Sequence, residues 1–216
     1  MALNINGTTC ISGVDGSVSA PALTGTDSNT GITFPSADTI KFATGGVERM
    51  SITNSGVSGV GGKILQVVSS HKVDLFSTTS SSFVDITGLS RTITPIAASS
   101  KINIIISIHV GAAQYGYPAF NVLRGSTIVT QGTNASGNRT NCSFGTYIAT
   151  EHITQTLGFT FLDSPSYSLS DTLTYKIQVA SKYNSLEINI NSNNSEDNSS
   201  ISLNGTSTIT LMEVAA

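Results

Sequence analysis

Three histidines, His71, His109 and His152, are the side chains of this chain best suited to acid–base or metal chemistry. They lie far apart in sequence, and none belongs to a His-x-His pair. A threefold assembly would bring three copies of one histidine together, which is one way to build a zinc site. The alternative is a surface or interface histidine, because His109 lies opposite the apolar positions of its predicted strand. The spacing selects no metal site.

Carboxylates and cysteines give no catalytic pattern either. Cleavage of glycan chains usually takes a pair of carboxylates, but the 13 Asp and Glu residues are scattered and most fall in predicted turns. Cys10 and Cys142 lie in segments of different character, which favours two unpaired thiols over a disulfide. We therefore predict no catalytic residue, no metal and no cofactor, and we do not expect an enzyme.

Two tyrosines are better placed for binding than for catalysis. Tyr115 and Tyr117 stand beside a glycine and a proline in a predicted loop at residues 114–118. A tyrosine offers flat apolar area and a hydroxyl, which suits sugar rings and polar surfaces. The alternative is that both rings cover the core of an assembly or an edge of the fold.

Two polar loops are further candidates for contact with a receptor. In the loop at residues 132–141, Asn134, Asn138 and Arg139 could bond to sugar hydroxyls. The segment at residues 189–200 is of low complexity and rich in Asn and Ser, typical of a long loop at the tip of a domain. For both loops the alternative is a solvated loop without a partner.

The composition excludes several classes of protein. Only 11% of the 216 residues are charged, the net charge is −3, and Ser, Thr and Asn make up more than a third of the chain. Such a chain has no basic footprint for nucleic acid and too little charge for a coiled coil. The first residues show no secretory signal, and no apolar run approaches the roughly 18 residues of a membrane span. We expect no membrane insertion.

The chain changes character near residue 62. Residues 1–62 hold 11 of the 20 glycines but only two of the 14 aromatic residues, and the glycine-rich run at 56–62 is typical of a flexible joint. So few large side chains do not offset the entropy of ordering about 60 residues, at about 1–2 kcal/mol each. The N-terminal segment should therefore borrow a partner's surface.

Within this segment, apolar residues two apart predict short strands with one apolar face. Three chains wound around one axis would cover such a face, since each copy then contacts two others. We predict an extended anchoring arm over residues 1–30 and a short β shaft with its joint over residues 31–62. The predicted shaft contacts are Ile32, Phe34, Ile40, Phe42, Met50 and Ile52.

Residues 63–216 predict strand after strand and no amphipathic helix. Apolar and polar residues alternate most clearly over residues 102–110, and Gly125 with Ser126 predicts a hairpin between residues 120 and 129. A second hairpin is predicted through Asn204 and Gly205. Nine or ten strands in this length predict an all-β fold in which the segment is a β-sandwich, and its size suits a jelly roll.

The chain resembles a family of fibre proteins of marine bacteriophages, especially phages of cyanobacteria. Residues 25–52 resemble a shaft module of these fibres, and residues 63–216 resemble the head attached to it. The matching segments of the head are residues 83–89, 93–95, 99–102, 123–126, 161–165 and 174–178. Such heads look like trimeric jelly rolls of the tumour-necrosis-factor and complement-collagen-head type.

The resemblance implies a homotrimeric virion protein, made in the host cytoplasm. Its N-terminal arm would attach to tail or capsid proteins, and its distal head would bind a polysaccharide or protein on the host surface. Family fibres are usually much longer than this chain. The shortness leaves a second hypothesis open, which is a capsid decoration or capsid fibre with a structural role only.

Overall fold

The computed structural model of the chain describes residues 4–6, 10–12, 15–59, 64–133, 136–193 and 202–215. The chain divides into two compact units, Met1–Lys63 and Ile64–Ala216. The all-β prediction is confirmed: the described residues contain strands and no helix, and hence no helix long and apolar enough to cross a membrane.

The described residues of the first unit form nine short strands. They are β1 (Asn4–Asn6), β2 (Cys10–Ser12), β3 (Gly16–Ser17), β4 (Ala20–Pro21), β5 (Leu23–Thr24), β6 (Gly31–Thr33), β7 (Ile40–Thr44), β8 (Val47–Thr53) and β9 (Gly56–Ser58). Strands β5 to β9 form an antiparallel sheet in chain order, and β1–β2 and β3–β4 are separate hairpins. The arm was predicted to end at residue 30. Strand β5 lies before this residue and pairs with β6, which lies after it, so the sheet includes residues on both sides of the predicted boundary.

The sheet of the first unit exposes its large apolar side chains. Pairing places Ile32 beside Phe42, Phe42 beside Met50, and Ile40 beside Ile52, so the five belong to one face. Each of them is half-buried or exposed, as is Phe34 just after β6. The opposite face buries only short side chains, those of Thr33, Ala43 and Ser51. We call the apolar side the shaft face; its contact with other copies remains a prediction.

The second unit is a sandwich of two antiparallel sheets. Its strands are β10 (Ile64–Lys72), β11 (Phe76–Thr78), β12 (Val84–Ile93), β13 (Lys101–Ala112), β14 (Pro118–Arg124), β15 (Thr127–Thr130), β16 (Phe144–Gly145), β17 (Thr154–Asp163), β18 (Leu173–Ser181), β19 (Ile188–Ile190) and β20 (Ser207–Val214). The first sheet has the order β10-β20-β13-β17, with β19 and β11 extending it beside the end of β13. The second has the order β12-β18-β14, followed by β15 and β16.

This strand order is that of a jelly roll. If β15 and β16 count as one strand and the short β11 and β19 are set aside, eight strands remain. Numbered along the chain, they are arranged 1-8-3-6 in one sheet and 2-7-4-5 in the other. The predicted β-sandwich is therefore confirmed, while the homotrimer stays a prediction.

Alternation of apolar residues builds the core between the sheets. Ile102, Ile104, Ile106 and Ile108 on β13 are fully buried, while Ile105 between them points outward. Each buried isoleucine contributes about 1.5–3 kcal/mol. Strand β14 departs from the pattern because its outward residues are buried as well. The segment around Ser143 lies against this strand: its hydroxyl accepts from the Val122 N–H (3.0 Å) and donates to the Thr130 carbonyl (2.5 Å), and its N–H donates to Oδ1 of the outward Asn121 (3.3 Å).

The antiparallel pairing gives the jelly roll two distinct ends. At one end, which we call the entry end, β10 begins at Ile64 opposite Val214, and β13 begins beside the same residue. The loops at residues 94–100, 125–126 and 164–172 lie at this end. At the other, the far end, the chain passes from β13 to β14, from β16 to β17 and out of β18.

A buried carboxylate fastens a loop at the entry end. Glu213 is fully buried and accepts hydrogen bonds from the Gln66 side chain (2.6 Å) and from the backbone N–H groups of Ile96 and Ala97 (3.1 Å each). Burial alone would raise the pKa of Glu213, but these hydrogen bonds outweigh it, so the pKa lies below its usual value. A carboxyl with a lowered pKa stabilises the fold while it is ionised.

We expect the change Glu213→Gln to lower the free energy of unfolding by about 1–3 kcal/mol at pH 7, because backbone donors lose a charged acceptor. The wild type should lose this advantage as the pH falls through the lowered pKa of Glu213, since protonation removes the charge. The two proteins should therefore converge in acid. Urea denaturation at a series of pH values measures this, and a pH-independent difference would contradict it.

One predicted hairpin is wrong. Residues 202–206 form no strand, so the described part of the predicted turn at Asn204 and Gly205 connects no hairpin. Instead, the Gly205 N–H donates to the Asn191 carbonyl (2.8 Å), and a Cβ on Gly205 would lie 2.4 Å from Cγ of His109. A tertiary contact with β13 therefore overrides the local turn signal.

Candidate binding site

The far end of the jelly roll brings together three loops that are distant in sequence. Pro118, at the start of β14, pairs with Ser181, at the end of β18. The Pro118 carbonyl accepts from the Thr146 N–H after β16 (3.1 Å), and the Tyr117 carbonyl accepts from the Lys182 N–H (3.1 Å). The residues that follow β13, β16 and β18 are thus held side by side.

Four tyrosines from these loops surround an open cleft of about 840 Å³. They are Tyr115, Tyr117, Tyr147 and Tyr183, each between 41% and 52% exposed. We call this the tyrosine cleft. Asn138, Thr140, Cys142 and Lys182 also line it. Its volume lies within the range of about 300–1,000 Å³ that is typical of sites for small ligands.

Ring contacts fix the arrangement of three of the tyrosines. The centroid of Tyr117 lies 4.8 Å from that of Tyr147, with the planes at 38°, and 5.8 Å from that of Tyr183, at 63°. Both are favourable geometries for aromatic pairs. Tyr117 is therefore held between two neighbours, and the three rings form one continuous aromatic surface.

The backbone of the first loop is fixed around Gly116. Its N–H donates to the Ala113 carbonyl, and its carbonyl accepts from the Ile148 N–H, both at 2.9 Å. A Cβ on Gly116 would lie 2.5 Å from Cβ of Ala112, so only glycine fits. Tyr115 has φ of 66°, in the left-handed region that few residues adopt. This anchored turn places Tyr115 and Tyr117 on either side of the glycine.

Three ionisable groups of the cleft, those of Cys142, Tyr147 and Lys182, have surroundings that set their role. Burial raises the pKa of the Cys142 thiol, which therefore stays protonated. Burial and the nearby Tyr117 and Tyr115 raise the pKa of the Tyr147 hydroxyl, which remains a hydrogen-bond donor at neutral pH. The Lys182 ammonium donates to the Ser81 carbonyl (2.6 Å) and lies 4.6 Å from the centre of the Phe83 ring.

The structure brings together some of the residues predicted from sequence. Tyr115, Tyr117 and Asn138 line the tyrosine cleft, whereas Arg139 is exposed and does not line it. Asn134 lies outside the described residues. So does most of the predicted tip loop at residues 189–200, which is described only up to residue 193.

The histidines are placed apart from the cleft lining. His71 is on β10, His109 on β13 and His152 in the turn before β17. Burial lowers the pKa of His109, and its Nδ1 lies 3.3 Å from Oγ1 of Thr156. Among the described residues, no three His, Cys, Asp or Glu side chains are grouped so that they could hold a metal ion. The absence of enzymatic activity remains a prediction.

Sequence reasoning missed Tyr147 and Tyr183. Each stands alone just after a strand, without the Gly and Pro neighbours that singled out residues 114–118. The signal that would have found them is the jelly-roll strand order, because it places the residues after β13, β16 and β18 at one end. A search for tyrosines at those three positions selects both.

Comparison with known proteins adds little to this geometry. No family model and no curated protein matches the chain. Two solved structures of infectious bursal disease virus are similar to it: the Gx strain (13% identity, 70% of this chain and 37% of that chain, TM-score 0.34) and the Gt strain (10% identity, 69% and 42%, TM-score 0.27). The chain spans about two fifths of their length. Similarity this low supports no inference, and the fold assignment rests on the strand order.

Proposed function

We propose that the chain is a homotrimeric phage fibre protein whose head binds the host surface through the tyrosine cleft. The observation that carries the proposal is the position of the cleft. It lies at the far end of the jelly roll, away from Ile64, where the chain enters the head. A fibre held through its N-terminal segment would present this end to a cell. The resemblance to fibre proteins of marine phages supports the same role.

The surfaces left uncovered in a single chain support the homotrimer. One is the shaft face. The other is the outer side of the first sheet of the jelly roll, where Val67, Ile105 and Leu162 are 53%, 37% and 46% exposed. The outward residues of β10 from Val67 to His71 include no Asp, Glu, Lys or Arg. The same holds for the outward residues at the paired positions of β20, β13 and β17. We call this the neutral face.

The outer side of the second sheet is different in charge. It carries the ion pair between Asp85 and Lys176 (2.8 Å), and Gln178 also donates to Asp85. Charged groups are depleted in the core of protein interfaces. The neutral face therefore suits contact with two further copies of the chain, and the charged side suits water.

A purely structural role on the capsid is the competing proposal. It needs the same trimer and the same N-terminal attachment, but it gives the tyrosine cleft no ligand. The two proposals therefore differ in one measurable property, which is binding of the head to cells.

Removal of two cleft tyrosines should weaken binding to cells. We expect Tyr115→Ala combined with Tyr117→Ala to weaken binding of the fluorescently labelled protein to a susceptible strain by at least about tenfold, since tyrosines that become buried in an interface are frequent hot spots. Three clefts in one assembly would enlarge the effect through avidity. Binding is measured by flow cytometry over a range of protein concentrations.

The matched control removes two exposed apolar side chains from the entry end: Ile96→Ala with Leu169→Ala. This variant should bind as the wild type does. Both variants should keep the wild-type melting temperature within a few degrees. Equal binding by the tyrosine variant and the control would remove the cleft from the proposal and favour the structural role.

A further inference from the structure

We propose that the ligand of the tyrosine cleft is an uncharged polysaccharide, with sugar rings stacked on the tyrosines and sugar hydroxyls bonded to the polar groups of the cleft. This inference rests on the proposed function, because it names the chemistry of the host surface that the head would meet.

The ring faces suit the apolar sides of sugars. A pyranose ring presents C–H groups on its faces and hydroxyls around its rim, so it packs against an aromatic ring and still needs polar partners. Tyr117 is supported by Tyr147 and Tyr183, and all three remain partly exposed. Such rigid, amphipathic area costs little conformational entropy on binding.

The four tyrosine hydroxyls of the cleft have no hydrogen-bond partner within the described part of the protein. The hydroxyls of Tyr115, Tyr117, Tyr147 and Tyr183 make no hydrogen bond to another described residue. A purely apolar ligand would cover these groups and leave them unsatisfied, at about 1–3 kcal/mol each. A ligand with many hydroxyls would satisfy them, because a tyrosine hydroxyl both donates and accepts.

The cleft offers few cationic groups to attract acidic ligands. No Asp, Glu or Arg is among the described residues that line it, and its cation, Lys182, is already held by the Ser81 carbonyl and the Phe83 ring. Arg139 follows a lining residue but does not itself line the cleft. Recognition of carboxylate or sulfate groups relies on free Arg and Lys donors. A neutral sugar chain needs none.

The tyrosine content of the chain allows a direct test. The chain has six tyrosines, and four line the cleft. The other two are internal controls: Tyr167 donates to the Ala97 carbonyl (2.6 Å) at the entry end, and Tyr175 is fully buried. The full chain is labelled with 3-fluorotyrosine, and its ¹⁹F NMR signals, assigned by single Tyr→Phe changes, are followed during titration.

The probes are soluble neutral polysaccharides (dextran, mannan and laminarin), acidic ones (polygalacturonate and hyaluronate), and a proline-rich peptide, since such peptides also bind aromatic grooves. We expect at least one neutral polysaccharide to shift the four cleft signals and to leave those of Tyr167 and Tyr175 unchanged. Its apparent affinity should exceed that of the acidic polysaccharides by at least about tenfold, a difference of about 1.4 kcal/mol. The Tyr117→Ala variant should lose the response.

Three results would overturn the inference. One is a response to acidic polysaccharide or to the peptide that equals or exceeds the neutral one. Another is a shift of the Tyr167 or Tyr175 signal in place of the cleft signals. The third is that no neutral polysaccharide shifts the cleft signals, although envelope extract from a susceptible strain does. That result would overturn the inference about the ligand but would not contradict the proposed function. The proposed function itself fails separately, if the tyrosine variant binds cells as the wild type does.

Discussion

One carboxylate placed on the shaft face and another on the neutral face should dissociate the protein into monomers. We expect Phe42→Asp on the shaft face combined with Ile105→Asp on the neutral face to reduce the mass in solution from about three times 22.4 kDa to 22.4 kDa. An unpaired charge buried in an interface costs several kcal/mol, and in a symmetric trimer each substitution enters three times. Light scattering coupled to gel filtration measures the mass.

The control places the same carboxylates away from the predicted contacts. Thr24→Asp lies on the exposed edge strand β5, at the position next to Leu23, and Thr174→Asp lies on the exposed outer side of the second sheet. This variant should remain trimeric. A trimeric Phe42→Asp, Ile105→Asp protein would show that other surfaces hold the copies together, and a wild-type monomer would refute the homotrimer.

Removal of the carboxyl of Asp163 should destabilise the jelly roll strongly. Asp163 forms an ion pair with Arg124 and accepts from the hydroxyl of Tyr175 (2.7 Å), which is fully buried. Burial, and then the hydrogen bond to Asp163, raise the pKa of this hydroxyl. In Asp163→Ala, a partly buried guanidinium and a buried hydroxyl both lose their acceptor. We expect the free energy of unfolding to fall by about 3–5 kcal/mol, measured by urea denaturation at constant protein concentration.

Asp85→Ala is the matched control for this change, because it also removes an aspartate from an ion pair in the jelly roll. The side chain of Asp85 is 51% exposed, against 10% for Asp163. Exposed pairs contribute about 0–1 kcal/mol, so the control should cost less than 1 kcal/mol. Equal losses in the two variants would mean that the Asp163 network contributes no more than a surface pair.

The sequence predicts the strands well where one face is buried and the other is not. Strand β13 follows the alternation of isoleucines at 102–108 almost residue by residue, and the turn at Gly125 and Ser126 joins β14 to β15 as expected. Strand β14 shows where this reasoning stops. Its outward residues are buried as well, and the outward Asn121 accepts from the Ser143 N–H, a contact that no local sequence pattern reveals.

The binding site is predictable only in part, for a related reason. Tyr115 and Tyr117 carry a local signal, because a glycine and a proline mark their loop. Tyr147 and Tyr183 reach the same cleft only through the pairing of β14 with β16 and β18. Hydrogen bonding between distant strands therefore completes the site, and periodicity within one segment does not contain that information.

The predicted hairpin at Asn204 and Gly205 failed because of a contact that the sequence does not reveal. Asn followed by Gly is a strong signal for a tight turn between strands. Here Gly205 lies against the ring of His109, and the backbone before β20 is bonded to Asn191 instead of to its own neighbours. This position requires glycine because a side chain would clash with the ring of His109, and not because glycine favours tight turns.

The most direct test of the proposed function is a density map of the full chain bound to envelope fragments of a susceptible strain. We predict three copies per particle, with additional density over Tyr117 between Tyr147 and Tyr183 at the far end of each jelly roll. Density on another part of the head, with the tyrosine cleft open to solvent, would contradict the proposed site.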